Sequence, residues 1–270
     1  TTLCSIGRAM HANNRLLVHR LVIAVIVLLM LTPIAATLIY SLSTRWGATV
    51  LPEGLTLKWY IELLSDPRFL LSFARSLFVC SAGLFICIAV LIPVIFIVFY
   101  SLLGLKKLFN FIVILPFAVP PVVSSVGLLQ LYSDGFLPIS GTFWILIFTY
   151  FTIVIPFVYR AIANSFSAIN LHDLMDAARL LGASTWQAFF QCVLPNLKKG
   201  ILSAVFISFS ILIGEFVFAN ILVGTRFETL QIYLFNTRQI SGHFTSALVI
   251  FYFAFIFLLT FLAGRLGNRK

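Results

Sequence analysis

Residues Asp176–Pro195 read D-A-A-R-L-L-G-A-S-T-W-Q-A-F-F-Q-C-V-L-P, the longest polar interruption in the second half of a very apolar chain. Ala177, Ala178, Leu180 and Leu181 are strong helix formers, and Gly182 stands where a helix can stop. Asp176 sits where a first-turn carboxylate favours a helix N-terminus. The spacing predicts a short helix from Asp176 to Gly182 with a compact, nearly knobless face. Arg179 lies within it, and Ala183 follows. Ser184 opens a second helix expected to run toward Val193 and to end at Leu194-Pro195. Read alone, such a segment is a loop helix between two membrane spans.

The surrounding composition supports spans. Hydrophobic residues make up 61% of the 270 residues and charged residues 10%, against roughly 25% charged in soluble domains. The fold class is therefore all-α, a polytopic helical membrane protein. Six transmembrane helices are expected at about 21–42, 74–100, 108–132, 142–160, 200–224 and 244–264. They form one domain, 21–264, between an N-terminal segment, 1–20, and a tail, 265–270, with the long loop at 161–199. Leu55–Leu64, L-T-L-K-W-Y-I-E-L-L, looks like an amphipathic helix lying at the interface, with Trp59 and Tyr60 at the headgroup level. Gly135 and Pro138 mark a tight turn after the third span. Leu21–Tyr40 is too long for the apolar core of a cleavable signal. No internal repeat stands out, and the four cysteines (Cys4, Cys80, Cys87 and Cys192) suggest neither a disulfide nor a metal site.

Charge sets the orientation. Of 18 Lys and Arg, 12 fall in the N-terminal segment, the 101–108 turn, the 160–199 loop and the tail, and 5 fall in the remaining loops. The richer set faces the cytoplasm, so both termini are expected inside. The net charge of +10 is thus a topology signal, and no nucleic acid partner is implied; the partner that composition demands is membrane lipid.

The stretch 176–195 resembles the EAA loop of permease subunits of binding-protein-dependent ABC importers: E-A-A, three residues, G, nine residues, I, any residue, L-P. Asp176 replaces the Glu and Cys192 the Ile; Ala177, Ala178, Gly182, Leu194 and Pro195 are in register. The resemblance implies a type I importer fold in a bacterial inner (cytoplasmic) membrane. It implies that Asp176, Ala177, Ala178, Arg179, Gly182, Ala183, Ser184, Leu194 and Pro195 couple to an ATPase. The implied partners are two ATPase subunits, a second permease subunit (identical or homologous) and an extracytoplasmic solute-binding protein. The chain has no G-x-x-x-x-G-K-[ST], so ATP and Mg²⁺ are expected on the ATPase subunits and no cofactor on this chain. It is expected to be non-catalytic. The K-W-Y segment is similar to that of spermidine/putrescine permeases, which leans the solute toward a polyamine. Gly214-Glu215-Phe216 also resembles sulfate and molybdate permeases, and aminoethylphosphonate, thiosulfate or ferric iron remain alternatives. An ion-coupled secondary transporter should carry several membrane carboxylates, and an intramembrane enzyme should carry a convergent catalytic set. Neither pattern is present.

Glu215 is the sole acidic residue inside a span, and such a group should face protein or water. Ala204, Ser208, Ile211, Glu215 and Ala219 share one helical face. Glu215 then either lines the translocation path or pairs with Arg75 near the outer leaflet. Pro116, Pro120 and Pro121 break the third span and free carbonyls near Ile112, Pro116 and Phe117. Ser124, Ser125 and Gln130 follow, so this span either lends polar atoms to the path or merely kinks for packing. Asn220 completes the path candidates. His172 and Asp173 read as solvated helix-start residues.

Overall fold

A computed structural model describes residues 2–47, 52–133 and 137–267. In chain order the helices are α1 (Thr2–Leu42), α2 (Lys58–Ser65), α3 (Pro67–Tyr100), α4 (Lys106–Ile114) and α5 (Pro121–Ser133). After these come α6 (Phe143–Ser167), α7 (Leu171–Leu180), α8 (Thr185–Ala188), α9 (Leu194–Asn196), α10 (Lys198–Ile213), α11 (Val217–Leu222), α12 (Leu230–Thr237) and α13 (Gly242–Gly267). Among the described residues there is no strand, only an isolated bridge between Ser43 and Leu55. Among the described residues, four helical stretches are long and apolar enough to cross a membrane: Val18–Leu42, Pro67–Tyr100, Phe143–Ser167 and Gly242–Leu262. Counting each of two bent pairs as one span gives up to six: Leu103–Phe117 with Pro121–Ser133 at 88°, and Thr185–Asn196 with Lys198–Ile213 at 66°.

Three expected boundaries move. The polar N-terminal segment is the start of α1 itself, because no Gly-Pro break or cap separates it from the span. The second span begins at Pro67, where Asp66 caps the helix by accepting from the Arg68 amide at 2.8 Å and Pro67 supplies the first-turn φ. The fifth span is not continuous to Gly224: α10 stops at Ile213 and a separate short helix follows. Gly135 and the tail residues 268–270 lie outside the described residues.

The chain divides into two compact units. In the first (1–63 with 238–251), the chain turns after α1 through bonds from Thr44 N–H to Gly54 O and from Thr56 N–H to Leu42 O. Trp59 and Tyr60 spend their polar tips on the chain rather than on headgroups: Trp59 Nε1 donates to Ser43 O at 3.0 Å, and Tyr60 meets the Ser41 hydroxyl at 2.6 Å. His243 stacks on Tyr40 and on Trp59, at 4.1 Å and 5.6 Å between ring centres.

The second unit (64–237 with 252–270) holds the core. α3 and α10 both pack on α6. Glycines permit the close approach, as small residues do where apolar helices must meet without help from water. A Cβ on Gly83 would lie 3.0 Å from Tyr150 Cβ, and one on Gly200 would lie 2.0 Å from Ser165 Oγ. Val79, Cys87, Ile95, Leu146, Val154 and Val158 fill the space between α3 and α6, all fully buried.

Candidate functional site

The loop from α7 to α9 is built by local rules. α7 starts after Asn170, whose side-chain amide bonds the Asp173 carboxylate, so Asp173 is the first-turn acid. Asp176 therefore falls in the middle of the helix, exposed, and not at its start. The helix reaches back to Leu171 because Leu171, Met175 and Ala178 form one buried face at helical spacing. Gly182 does end it: at φ +84° it lets Gly182 N–H bond Arg179 O at 2.9 Å and Ala183 N–H bond Ala178 O at 3.1 Å, a Schellman closure. The outward face is not knobless. Leu180 is 88% exposed and Leu181 89%, while Ala178 is turned inward and Ala177 outward.

Ser184 caps α8 through a reciprocal box: Ser184 N–H donates to Gln187 Oε1 at 2.8 Å, and Gln187 N–H donates to Ser184 Oγ at 3.3 Å. The helix does not end at Pro195. A π-helical turn at Phe189–Val193 precedes Leu194 and Pro195, which start α9. Proline is tolerated in a first turn, where its missing N–H has no duty. This segment leans on the end of α3. Phe189 lies 4.6 Å from Phe96, His172 lies 5.4 Å from Tyr100, and the Arg179 guanidinium sits 5.4 Å over the Tyr100 ring.

The proline break in the third span opens a cavity of about 640 Å³, largely apolar, lined by Pro116–Pro121, Ser124, Thr149, Thr152 and Phe218. The Ile112 carbonyl is not freed, because it accepts from Leu115 N–H. Of the polar residues expected near a path, Ser124 reaches this cavity, and Ser125 is buried with its hydroxyl donated to Pro121 O and Val122 O. Gln130 is exposed, and Ser208 is fully buried with no hydrogen-bond partner among the described residues. Asn220 faces a second, more polar cavity of about 550 Å³, with Ser140 and Arg226.

Glu215 does not pair with Arg75. Its carboxylate accepts from Phe218 N–H at 2.8 Å and Ala219 N–H at 3.0 Å, which caps α11, and from the Tyr150 hydroxyl at 3.4 Å. Arg75 instead lies 5.1 Å over the Phe227 ring. The shared face from Ala204 to Ala219 dissolves because α10 ends before Glu215. The sequence reading missed a different ion pair, Arg68 with Glu228 at 2.7 Å. Glu228 also accepts from Asn236 at 2.9 Å. Burial pushes its carboxyl up, but these donors win and hold it below the ordinary range. The Asp66-Pro67 pair, a cap followed by a first-turn proline, was the available signal that α3 reaches far enough to bring Arg68 there. Among the described residues, no group of three His, Cys, Asp or Glu is placed to hold a metal.

Residues 103–270 match the family model described as binding-protein-dependent transport system inner membrane component. The chain is similar to PhnV of Salmonella typhimurium strain LT2, named for 2-aminoethylphosphonate transport, 27% identical with 88% of this chain and 89% of that protein covered. It is similar to the putrescine transport system permease protein PotI of Escherichia coli K12, 25% identical with 76% and 74% covered. It is similar to the sulfate transport system permease protein CysW of the same strain, 32% identical with 58% and 60% covered. A crystal structure of a bacterial ABC transporter involved in the import of the acidic polysaccharide alginate shares the fold, with a TM-score of 0.70, 16% identity, and 92% of this chain and 95% of that chain covered.

Proposed function

The chain belongs to the binding-protein-dependent transport system inner membrane components, multi-pass permeases of ABC importers, and from that premise we propose that Leu171–Asn196 is its coupling segment to the ATPase. Permeases of this kind work with an ATPase and a solute-binding protein. In this reading two ATPase subunits bind the cytoplasmic loop, a second permease subunit completes the path, and the binding protein docks on the opposite side. ATP and Mg²⁺ stay on the ATPases, this chain performs no catalysis, and both termini are cytoplasmic.

The observation that carries the reading is the pair Leu180 and Leu181, exposed together at the Gly182 turn. Two apolar side chains on a polar loop want a pocket, and burying each stabilises contact by about 1.5–3 kcal/mol. The rings of Phe189, His172 and Arg179 against Phe96 and Tyr100 then link the docked loop to α3. The solute is small and polar; 2-aminoethylphosphonate, sulfate and putrescine, named for relatives, are the classes to test. The proline-lined cavity, with Ser124 at its wall, is the segment of path assigned to the third span.

The test uses the reconstituted assembly of permease, ATPase and binding protein. Leu181→Cys should crosslink to the ATPase. Leu181→Asp should leave membrane insertion intact and abolish the stimulation of ATP hydrolysis by loaded binding protein. Full stimulation in Leu181→Asp would remove the coupling assignment.

A further inference from the structure

The more polar cavity lies at the far end of α6 from the coupling segment. Ser140 and Gly141 precede the first residue of α6, and Asn170 follows its last turn. The 25 residues between them span about 37 Å at 1.5 Å per residue. The cavity walls come from the end of α5, from α11 and from the 3₁₀ turn Gly224–Phe227. Their backbones are tied together, since Ser140 N–H bonds Tyr132 O at 3.2 Å and Gly141 N–H bonds Leu222 O at 2.9 Å.

Arg226 lines this wall with an exposed side chain. Its guanidinium Nη1 lies 2.9 Å from where a Cβ on Gly141 would stand, and Gly141 has φ +77°. The positive φ favours glycine there, while the close neighbour is the far end of a flexible side chain. Among the described residues, the side chains of Ser140, Asn220, Thr225 and Arg226 make no hydrogen bond or ion pair within the chain, so their donors remain available to a guest. Among the described lining residues Arg226 is the charged side chain, and it stands beside hydroxyl and amide groups. Guanidinium, hydroxyl and amide donors together fit a tetrahedral oxyanion, which Arg binds in two-pronged fashion.

We propose that this cavity is an oxyanion-binding subsite for the solute, with Arg226 as its charge and Asn220, Ser140 and Thr225 as further donors. The imported molecule then carries a phosphonate, sulfonate or sulfate group. The inference rests on the permease reading for its meaning, since the subsite is placed where solute enters from the binding protein. It departs from the polyamine expectation raised by the K-W-Y segment, which lies in a different part of the chain.

The subsite can be tested without transport. The purified permease–ATPase assembly in lipid nanodiscs is probed by saturation-transfer NMR with methylphosphonate, 2-aminoethylphosphonate and putrescine. The two phosphonates should give transfer and putrescine none. Arg226→Gln should weaken phosphonate binding at least tenfold, and Arg226→Lys should retain part of it. Uptake of the same solutes through the full assembly, with its binding protein, is measured in parallel, and Arg226→Gln should slow oxyanion uptake while Leu181→Asp leaves phosphonate binding intact. Putrescine transfer exceeding that of the phosphonates, or phosphonate binding unchanged in Arg226→Gln, would overturn the subsite. Full stimulation of ATP hydrolysis in Leu181→Asp, with Arg226-dependent phosphonate binding intact, would instead count against the coupling reading alone.

Discussion

Arg68 and Glu228, 160 residues apart, meet in a two-pronged ion pair: Nε donates to Oε2 at 2.7 Å and Nη2 to Oε1 at 2.7 Å. The pair ties the first turn of α3 to the segment entering α12. Tyr233 adds a bond from its hydroxyl to the Asp66 carboxylate, and Ser76 accepts from Leu230 N–H at 2.7 Å. Glu228→Gln keeps the shape and removes the charge. It should cost about 1–2 kcal/mol, the charge-assisted range reduced because Arg68 is half exposed. The carboxyl of Glu228 is held below its ordinary value of 4.5. Its contribution is therefore complete above that range and lost as pH falls through the lowered value. Thermal unfolding of the purified assembly should show wild type losing more stability than Glu228→Gln between pH 5 and pH 3, with the two converging at the acid end. Parallel curves would remove the ion pair as a stabiliser.

A second prediction separates the cap from the path. Glu215→Gln keeps one oxygen for the Phe218 and Ala219 amides and should assemble nearly normally. Glu215→Leu leaves both amides unpaired in a buried break, at about 1–3 kcal/mol each, and should lower the amount of folded permease in the membrane. Arg75→Ala should act independently, so that the double variant Glu215→Gln with Arg75→Ala is additive. Strong coupling between these two sites in that cycle would restore the ion pair that the structure replaces with a cap and a ring contact.

Close packing gives the third. A Cβ on Gly200 would collide with Ser165 Oγ at 2.0 Å and approach Ala161 O at 3.1 Å. Gly200→Ala should destabilise by about 1–3 kcal/mol, and Ser165→Gly should recover part of the loss. The midpoint of thermal unfolding in detergent is the readout. An unchanged midpoint in Gly200→Ala would mean that α6 and α10 do not approach at this glycine.

What could be read from sequence follows the range of the signals. Composition and apolar runs gave the class, because burial in lipid is a property of whole segments. Gly182 and Ser184 were legible because a helix stop and a cap are local chemistry. Asp176 was misplaced because a carboxylate signals a first turn only if the apolar face begins beside it, and Leu171 and Met175 extend that face upstream. Of the two alternatives for Glu215 the Arg75 pair is not taken, because Glu215 sits in the helix break itself and the amides of Phe218 and Ala219 are nearer than any distant guanidinium. Arg68 with Glu228, and Arg226 with Gly141, join residues 160 and 85 positions apart, and no spacing rule reaches that far.

Orientation is tested by access. Cysteines introduced at Ser140 and Ser241 should react with a membrane-impermeant maleimide in sealed cells, and one at Ser184 should react only after permeabilisation. The expectation comes from the excess of Lys and Arg in the loop that contains Ser184. Labelling of position 184 from outside would invert the protein and place the coupling segment on the wrong side for an ATPase.

The last prediction divides the two alanines of the coupling segment, which sequence alone treats as a pair. Ala178 is 6% exposed and turned into the chain's own core with Met175 and Leu171; Ala177 faces outward. A carboxylate at Ala178 would be buried without a partner, so Ala178→Asp should unfold the loop itself. A carboxylate at Ala177 would stay solvated in the isolated permease and meet resistance only when an ATPase covers it. Limited proteolysis of the purified permease should therefore cut the 171–196 segment in Ala178→Asp and spare it in Ala177→Asp. Both variants should lose stimulated ATP hydrolysis, for different reasons. Gly182→Ala is the third member of the set. At φ +84° an alanine is strained by about 1 kcal/mol, yet no atom lies within 4 Å of its Cβ. Gly182→Ala should therefore fray the end of α7 mildly and reduce stimulation by less than Ala177→Asp. If Ala177→Asp retained full stimulation while Leu181→Asp abolished it, the ATPase contact would be confined to the leucine tip, and the helix face behind it would be free of the partner.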